Sequence, residues 1–268
     1  MNNRYRSATK LLSKVPEVTL YFWIIKILAT TVGETAADYL NVDLGFGLRA
    51  TTFVTAALLV ITLAAQFSVS RYIPALYWWT VLLISVTGTL ITDNLTDSLG
   101  VPLTLSTTVF ALALIGVLVA WYASERTLSI HSIRTRRREA FYWATVLVTF
   151  ALGTAAGDLI AERWALGYLP SLLIFVAIIG AITLAHYAFN LNAIIAFWAA
   201  YIVTRPLGAS LGDLLTQQRD VGGLGINSWL VNLMFLLIML GLVGYLSITR
   251  VDRIEQQRGI TRPTVDAR

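Results

Sequence analysis

Four aspartates recur at one place in a repeated pattern: Trp, nine residues, Gly, four residues, Asp. The copies are Trp23/Gly33/Asp38, Trp78/Gly88/Asp93, Trp143/Gly153/Asp158 and Trp198/Gly208/Asp213, with Phe22, Tyr77, Tyr142 and Phe197 before the tryptophans. Each copy lies in an apolar stretch long enough to cross a bilayer, where a carboxylate is costly and marks a functional site by default. On a helix, positions 7, 11 and 15 after the Trp fall within about 60° of it. The stripes are Thr30/Glu34/Asp38, Ser85/Thr89/Asp93, Phe150/Thr154/Asp158 and Arg205/Ala209/Asp213. Such polar faces belong inside a bundle, away from lipid. Carboxylate and hydroxyl oxygens, with cysteine absent and only His131 and His186 present, suit Mg²⁺, Mn²⁺ or Ca²⁺ better than Zn²⁺ or Cu⁺. The candidate metal ligands are Asp38, Asp93, Asp158, Asp213 and Glu34, with Thr89 and Thr154 supplying neutral oxygens. Clustered carboxylates can also exchange protons.

Glu34 and Arg205 break the fourfold pattern. In a closed ring repeats 1 and 4 are neighbours, so these two residues can pair. Pro206 follows Arg205 and is expected to kink or break its helix. Lys26 stands near a helix start, about 60° off the stripe, and is expected to snorkel to the interface. Asp97 and Glu162 follow the ring acids by four residues, and Gln217 takes the same place after Asp213. They suggest a hydrated acidic vestibule. Trp23, Trp78, Trp143 and Trp198 read as an interfacial belt or as packing at the floor of a pore.

The elements that position these residues follow from hydropathy. The chain has 268 residues, is 57% hydrophobic and 13% charged, and has a mean hydropathy of +0.71, far from a soluble composition. Eight spans are expected, at 18–40, 49–68, 75–97, 103–123, 140–162, 170–189, 193–215 and 228–248. The first reads as an uncleaved anchor. Successive copies start 55, 65 and 55 residues apart, each holding two spans. The fold class is therefore all-α, a polytopic membrane protein of eight transmembrane helices. Its four tandem two-helix repeats carry parallel pseudo-fourfold symmetry about the membrane normal. Four-span halves at 18–123 and 140–248 are joined by a basic linker, 124–139, and flanked by segments 1–17 and 249–268. The almost wholly apolar 53–64, 109–121 and 173–185 should form an outer scaffold. The repeated glycines should permit close helix approach.

The net charge of +5 resides in tails and loops. Lys14, Arg71, Arg134, Arg136 to Arg138 and Arg250 lie on one side. Arg49, Arg163 and Arg219 on the other are balanced by Asp43, Asp97, Glu162 and Asp220. This bias places both termini in the cytoplasm and accounts for the basic residues without nucleic acid.

At the tryptophan repeats the chain resembles a family of bacterial membrane proteins built from four tandem repeats of unknown function, each with two transmembrane segments and a Trp. The resemblance covers about residues 17–248. It implies an eight-span protein of the bacterial inner (plasma) membrane and no particular substrate. The leading functional expectation is a secondary transporter or exporter of a cation such as Mn²⁺ or Mg²⁺, with protons as possible counter-ions. The alternatives are carriage of a small organic solute held by Arg205 and the Trp rings, and a sensor or scaffold with a structural acidic ring. An intramembrane enzyme has no supporting nucleophile or phosphate-loop motif.

Overall fold

A computed structural model describes residues 13–252. Arg4, Arg6, Lys10, Arg253, Arg258 and Arg262, which contribute to the charge bias, lie outside the described residues.

The described chain forms eight long helices and contains no strand. They are α1 (Leu20–Asp38), α2 (Leu48–Ser68), α3 (Pro74–Asp93), α4 (Leu103–Glu125), α5 (Arg136–Asp158), α6 (Tyr168–Phe189), α7 (Ala193–Thr216) and α8 (Ser228–Thr249). Seven are long and apolar enough to cross a membrane; in α1, Lys26 and Glu34 interrupt the apolar run. α5 begins earlier than the hydropathy suggests. The Thr135 side chain accepts from the Arg138 backbone N–H, so the basic run 136–138 is its first turn. Of the kink or break expected at Pro206, the break does not occur: α7 continues through it. Glycines opposite make room, since a Cβ at Gly153 would meet Pro206 Cδ and one at Gly157 would lie 3.7 Å from its Cβ.

The odd-numbered helices form a closed inner ring in which α1 packs on α3, α3 on α5, α5 on α7 and α7 on α1. The even-numbered helices are mostly exposed, as an outer layer facing lipid would be. Each packs principally on the inner helix of the following repeat: α2 on α3, α4 on α5, α6 on α7 and α8 back on α1. Thr35 Oγ1 donates to Asn232 Oδ1 at 2.7 Å across the closing α1–α8 contact.

The repeated residues obey the same one-step advance. Each repeated glycine faces position 7 of the next repeat. A Cβ on Gly33 would lie within 3.0 Å of Ser85, on Gly88 of Phe150, on Gly153 of Arg205 and on Gly208 of Thr30. The glycine is thus a notch that receives a neighbour's side chain and sets the ring's spacing. The aromatic before each Trp packs on the Trp of the next repeat. Ring centroids lie 5.4 Å apart for Phe22–Trp78, 5.5 Å for Tyr77–Trp143, 6.3 Å for Tyr142–Trp198 and 5.8 Å for Phe197–Trp23. Trp78, Trp143 and Trp198 are buried; these rings close one end of the bundle by packing on one another.

Candidate functional site: a carboxylate cage over a buried arginine

The α-helical turns of α1, α3 and α5 end at Asp38, Asp93 and Asp158, and each continues into a wider π-helical turn: Tyr39–Asp43, Asn94–Ser98 and Leu159–Arg163. Such turns are uncommon and gather at functional sites. α7 lacks one; its end is capped at Gln217. Three of the ring aspartates are half-buried and Asp213 is buried. Glu34, Asp158 and Asp213 each bring a carboxylate oxygen within 4.8 Å of the other two. They come from α1, α5 and α7, and one is 5% exposed. Asp38 and Asp93 stand outside that triangle. Gln217 Nε2 donates to Asp38 Oδ2 at 3.5 Å, and Asp93 is half-buried at the end of α3. Asp97 is exposed.

One layer deeper lies Arg205, wholly buried. Its Nη2 donates to Glu34 Oε2 at 2.7 Å, to Thr154 Oγ1 at 2.7 Å and to Thr89 Oγ1. Its Nη1 donates to the Thr30 carbonyl at 3.4 Å. The expected Glu34–Arg205 pair is therefore present. It is part of a larger construction: position 11 of repeats 1, 2 and 3 converges on the guanidinium of repeat 4. Thr89 and Thr154, expected to offer oxygens to an ion, offer them to Arg205. The Phe150 ring lies 5.8 Å from the guanidinium carbon.

Lys26 corrects a second expectation. It does not snorkel; it is 0% exposed. Its Nζ donates to the Tyr201 carbonyl at 3.0 Å and sits 3.9 Å from the Tyr201 ring centroid and 5.1 Å from that of Phe150. The aromatic layer closes between Lys26 and the helix starts, so the route to the interface is blocked. The signal available in sequence was position 3 of the repeat, occupied elsewhere by Val81, Val146 and Tyr201, each of which is buried. No carboxylate among the described residues lies within ion-pair distance of this amine. Lys26→Met, which keeps the volume and removes the polar end, is therefore expected to hold or raise the unfolding temperature in detergent. Lys26→Ala should lower stability by about 2–5 kcal/mol, as large-to-small core changes do. A drop for Lys26→Met as large as that for Lys26→Ala would contradict this.

The end beneath the aromatic rings is sealed. Ser13, Lys14 and Val15 are buried there. The Lys14 backbone N–H donates to Ile133 O at 3.1 Å, Tyr72 N–H to Ser13 O at 3.1 Å, and Glu17 N–H to Asp252 O at 2.8 Å. Lys14 forms a buried ion pair with Glu139, and Trp198 Nε1 donates to Leu128 O at 2.9 Å. The Tyr77 and Tyr142 hydroxyls share a hydrogen bond. Tyr72 donates to Asp252 Oδ2 at 2.6 Å; burial, with the charge of Asp252 adding to it, pushes this hydroxyl's pKa up, so it stays a donor. A groove of about 570 Å³ opens sideways between α1, α6, α7 and residues 128–131. Its walls are mostly apolar and include none of the acidic residues.

Chemically, the site offers three mutually close carboxylates against a single fixed guanidinium. That arrangement attracts cations and holds protons. Sequence reading missed the Thr30 carbonyl and Lys26 as members of the axis; a backbone acceptor leaves no trace in residue type. No curated protein and no solved structure matches the chain. A family model described as a Repeat of Unknown Function (DUF347) matches four times in succession, over residues 21–72, 76–127, 141–191 and 196–252. These matches cover most of the sequence and coincide with the four tryptophan repeats, and the chain belongs to the DUF347 repeat family.

Proposed function

We propose that the protein is a carrier, not an enzyme, that moves a small cation through the centre of its inner ring. The observation that supports this best is the convergence of Glu34, Asp158 and Asp213 within 4.8 Å. Glu34 is paired with Arg205, and the close approach of Asp158 and Asp213 to it suits a divalent ion such as Mn²⁺ or Mg²⁺, or protons. Asp38 and Asp93, half-buried at the same end, extend the negative potential toward the opening and draw cations in. The reading includes eight spans, α1 among them, in parallel repeats about an axis along the membrane normal. The sealed, lysine- and arginine-rich end would face the cytoplasm of a bacterial inner membrane and the acidic end would face outward. Protons are the natural counter-ion, exchanging at the same carboxylates.

The organic-acid alternative has less support. Arg205 already gives Nη donors to Glu34, Thr89, Thr154 and the Thr30 carbonyl, so only its buried Nε–H is left without a partner for a substrate carboxylate. The experiment is tracer Mn²⁺ flux into proteoliposomes by wild type and by the Asp158→Asn, Asp213→Asn double variant. The double variant should lose at least about tenfold in flux, as removal of charged ligands from a partly buried site implies. Equal flux in the two proteins sinks the carrier reading.

A further inference from the structure

Glu34 takes part in two arrangements at once. Its Oε2 accepts from Arg205 at 2.7 Å and from Thr89 Oγ1 at 3.3 Å. The same carboxylate forms one corner of the triangle with Asp158 and Asp213. The guanidinium is held where it is by three other helices. Thr154 and the Thr30 carbonyl accept from it, and its stem crosses α5 through the notch at Gly153. An arriving ion and Arg205 therefore compete for the same acid. Arg205 cannot lose its charge, because a guanidinium does not deprotonate in proteins. Its positive charge remains available to Glu34 whenever the ion departs.

We propose that Arg205 is a tethered stand-in for the transported ion, an inference that rests on the carrier reading above. With the site unloaded, Arg205 neutralises Glu34, so the empty carrier can change its exposure without moving an unpaired acid through a low-dielectric interior. The protein then performs net transport and is not confined to one-for-one exchange. The stand-in also sets selectivity. A monovalent ion only matches the charge of Arg205, whereas a divalent ion doubles it and wins the shared carboxylate.

The test compares Mn²⁺ binding to purified protein with two flux modes in proteoliposomes, net downhill uptake and Mn²⁺/Mn²⁺ exchange. Arg205→Gln removes the internal competitor. It should bind Mn²⁺ about tenfold tighter or more, because the binding-competent state is no longer masked. It should keep exchange while net uptake falls by about the same factor. Weaker binding, or loss of both flux modes together, overturns the proposal. Should that variant fail to fold, Thr89→Val with Thr154→Val loosens Arg205 and leaves every carboxylate in place. Tighter Mn²⁺ binding by that pair supports the stand-in; unchanged or weaker binding overturns it. A wild type that binds no Mn²⁺ overturns the carrier reading and this proposal with it, whereas a wild type that binds while the variants respond in the wrong sense overturns this proposal alone.

Discussion

Glu34→Gln should destabilise the protein far more than Arg205→Gln, even though the two substitutions break the same ion pair. Removing one partner of a buried pair costs about 3–5 kcal/mol when the other is stranded as a charge. Without Glu34 the guanidinium stays wholly buried, its direct hydrogen bonds there go to neutral oxygens of Thr30, Thr89 and Thr154, and it cannot shed its proton. Without Arg205 the carboxylate of Glu34 keeps some contact with solvent, at 5% exposure, and Thr89 still donates to it at 3.3 Å. The full penalty of about 3–5 kcal/mol is thus expected for Glu34→Gln and roughly half of it for Arg205→Gln. Thermal or denaturant unfolding in a fixed detergent would measure both. The double variant should recover part of the loss, giving a coupling energy of about 0.5–3 kcal/mol. Equal losses, or a larger one for Arg205→Gln, would contradict this asymmetry.

The second large effect concerns glycine, where the chain supplies its own controls. Gly33, Gly88, Gly153 and Gly208 each face a neighbouring residue that an added Cβ would strike. Alanine at any of them must push two ring helices apart, at about 1–3 kcal/mol per site as overpacking costs. Gly153→Ala should do more, because its Cβ takes the space of the Arg205 stem and dislodges the guanidinium from Glu34. Gly116, Gly180, Gly241 and Gly244 lie on the outer helices with nothing within 4 Å of the added carbon. Alanine there should be neutral or stabilise by roughly 0.5–1 kcal/mol, the helix-propensity difference. Expression level and melting temperature of the eight single variants would fall into two separated groups. Overlap between the groups would refute the notch.

The division between what sequence made legible and what it concealed is physical. A 3.6-residue period tells which face of a helix is polar, so the inner position of α1, α3, α5 and α7 and the exposure of the outer helices could be read directly. The Glu34–Arg205 pair was accessible because closing four sequential repeats into a ring makes repeats 1 and 4 adjacent. Periodicity does not tell which neighbour a face meets, nor at what height. The notch between Gly153 and Arg205 and the packing of Tyr77 on Trp143 depend on that register. Lys26 was misread for the same reason: its distance from the helix start suggested an interface, while the rings of Phe22, Trp78 and Phe197, which pack on one another, lie between it and that interface. The π-helical turns after Asp38, Asp93 and Asp158 were invisible, since a widened turn is a backbone choice without a residue code.

Because every outer helix docks on the repeat that follows it, the closing contact joins α1 and α8, the two described helices farthest apart in sequence. α1 is covered on its outer side only when α8 returns to it, where Thr35 meets Asn232. A nascent chain missing its final segment would leave a charged helix, bearing Lys26 and Glu34, with one flank open to lipid. A chain cut before α8 is therefore expected to remain an unlatched arc, unfolding more readily than the closed ring.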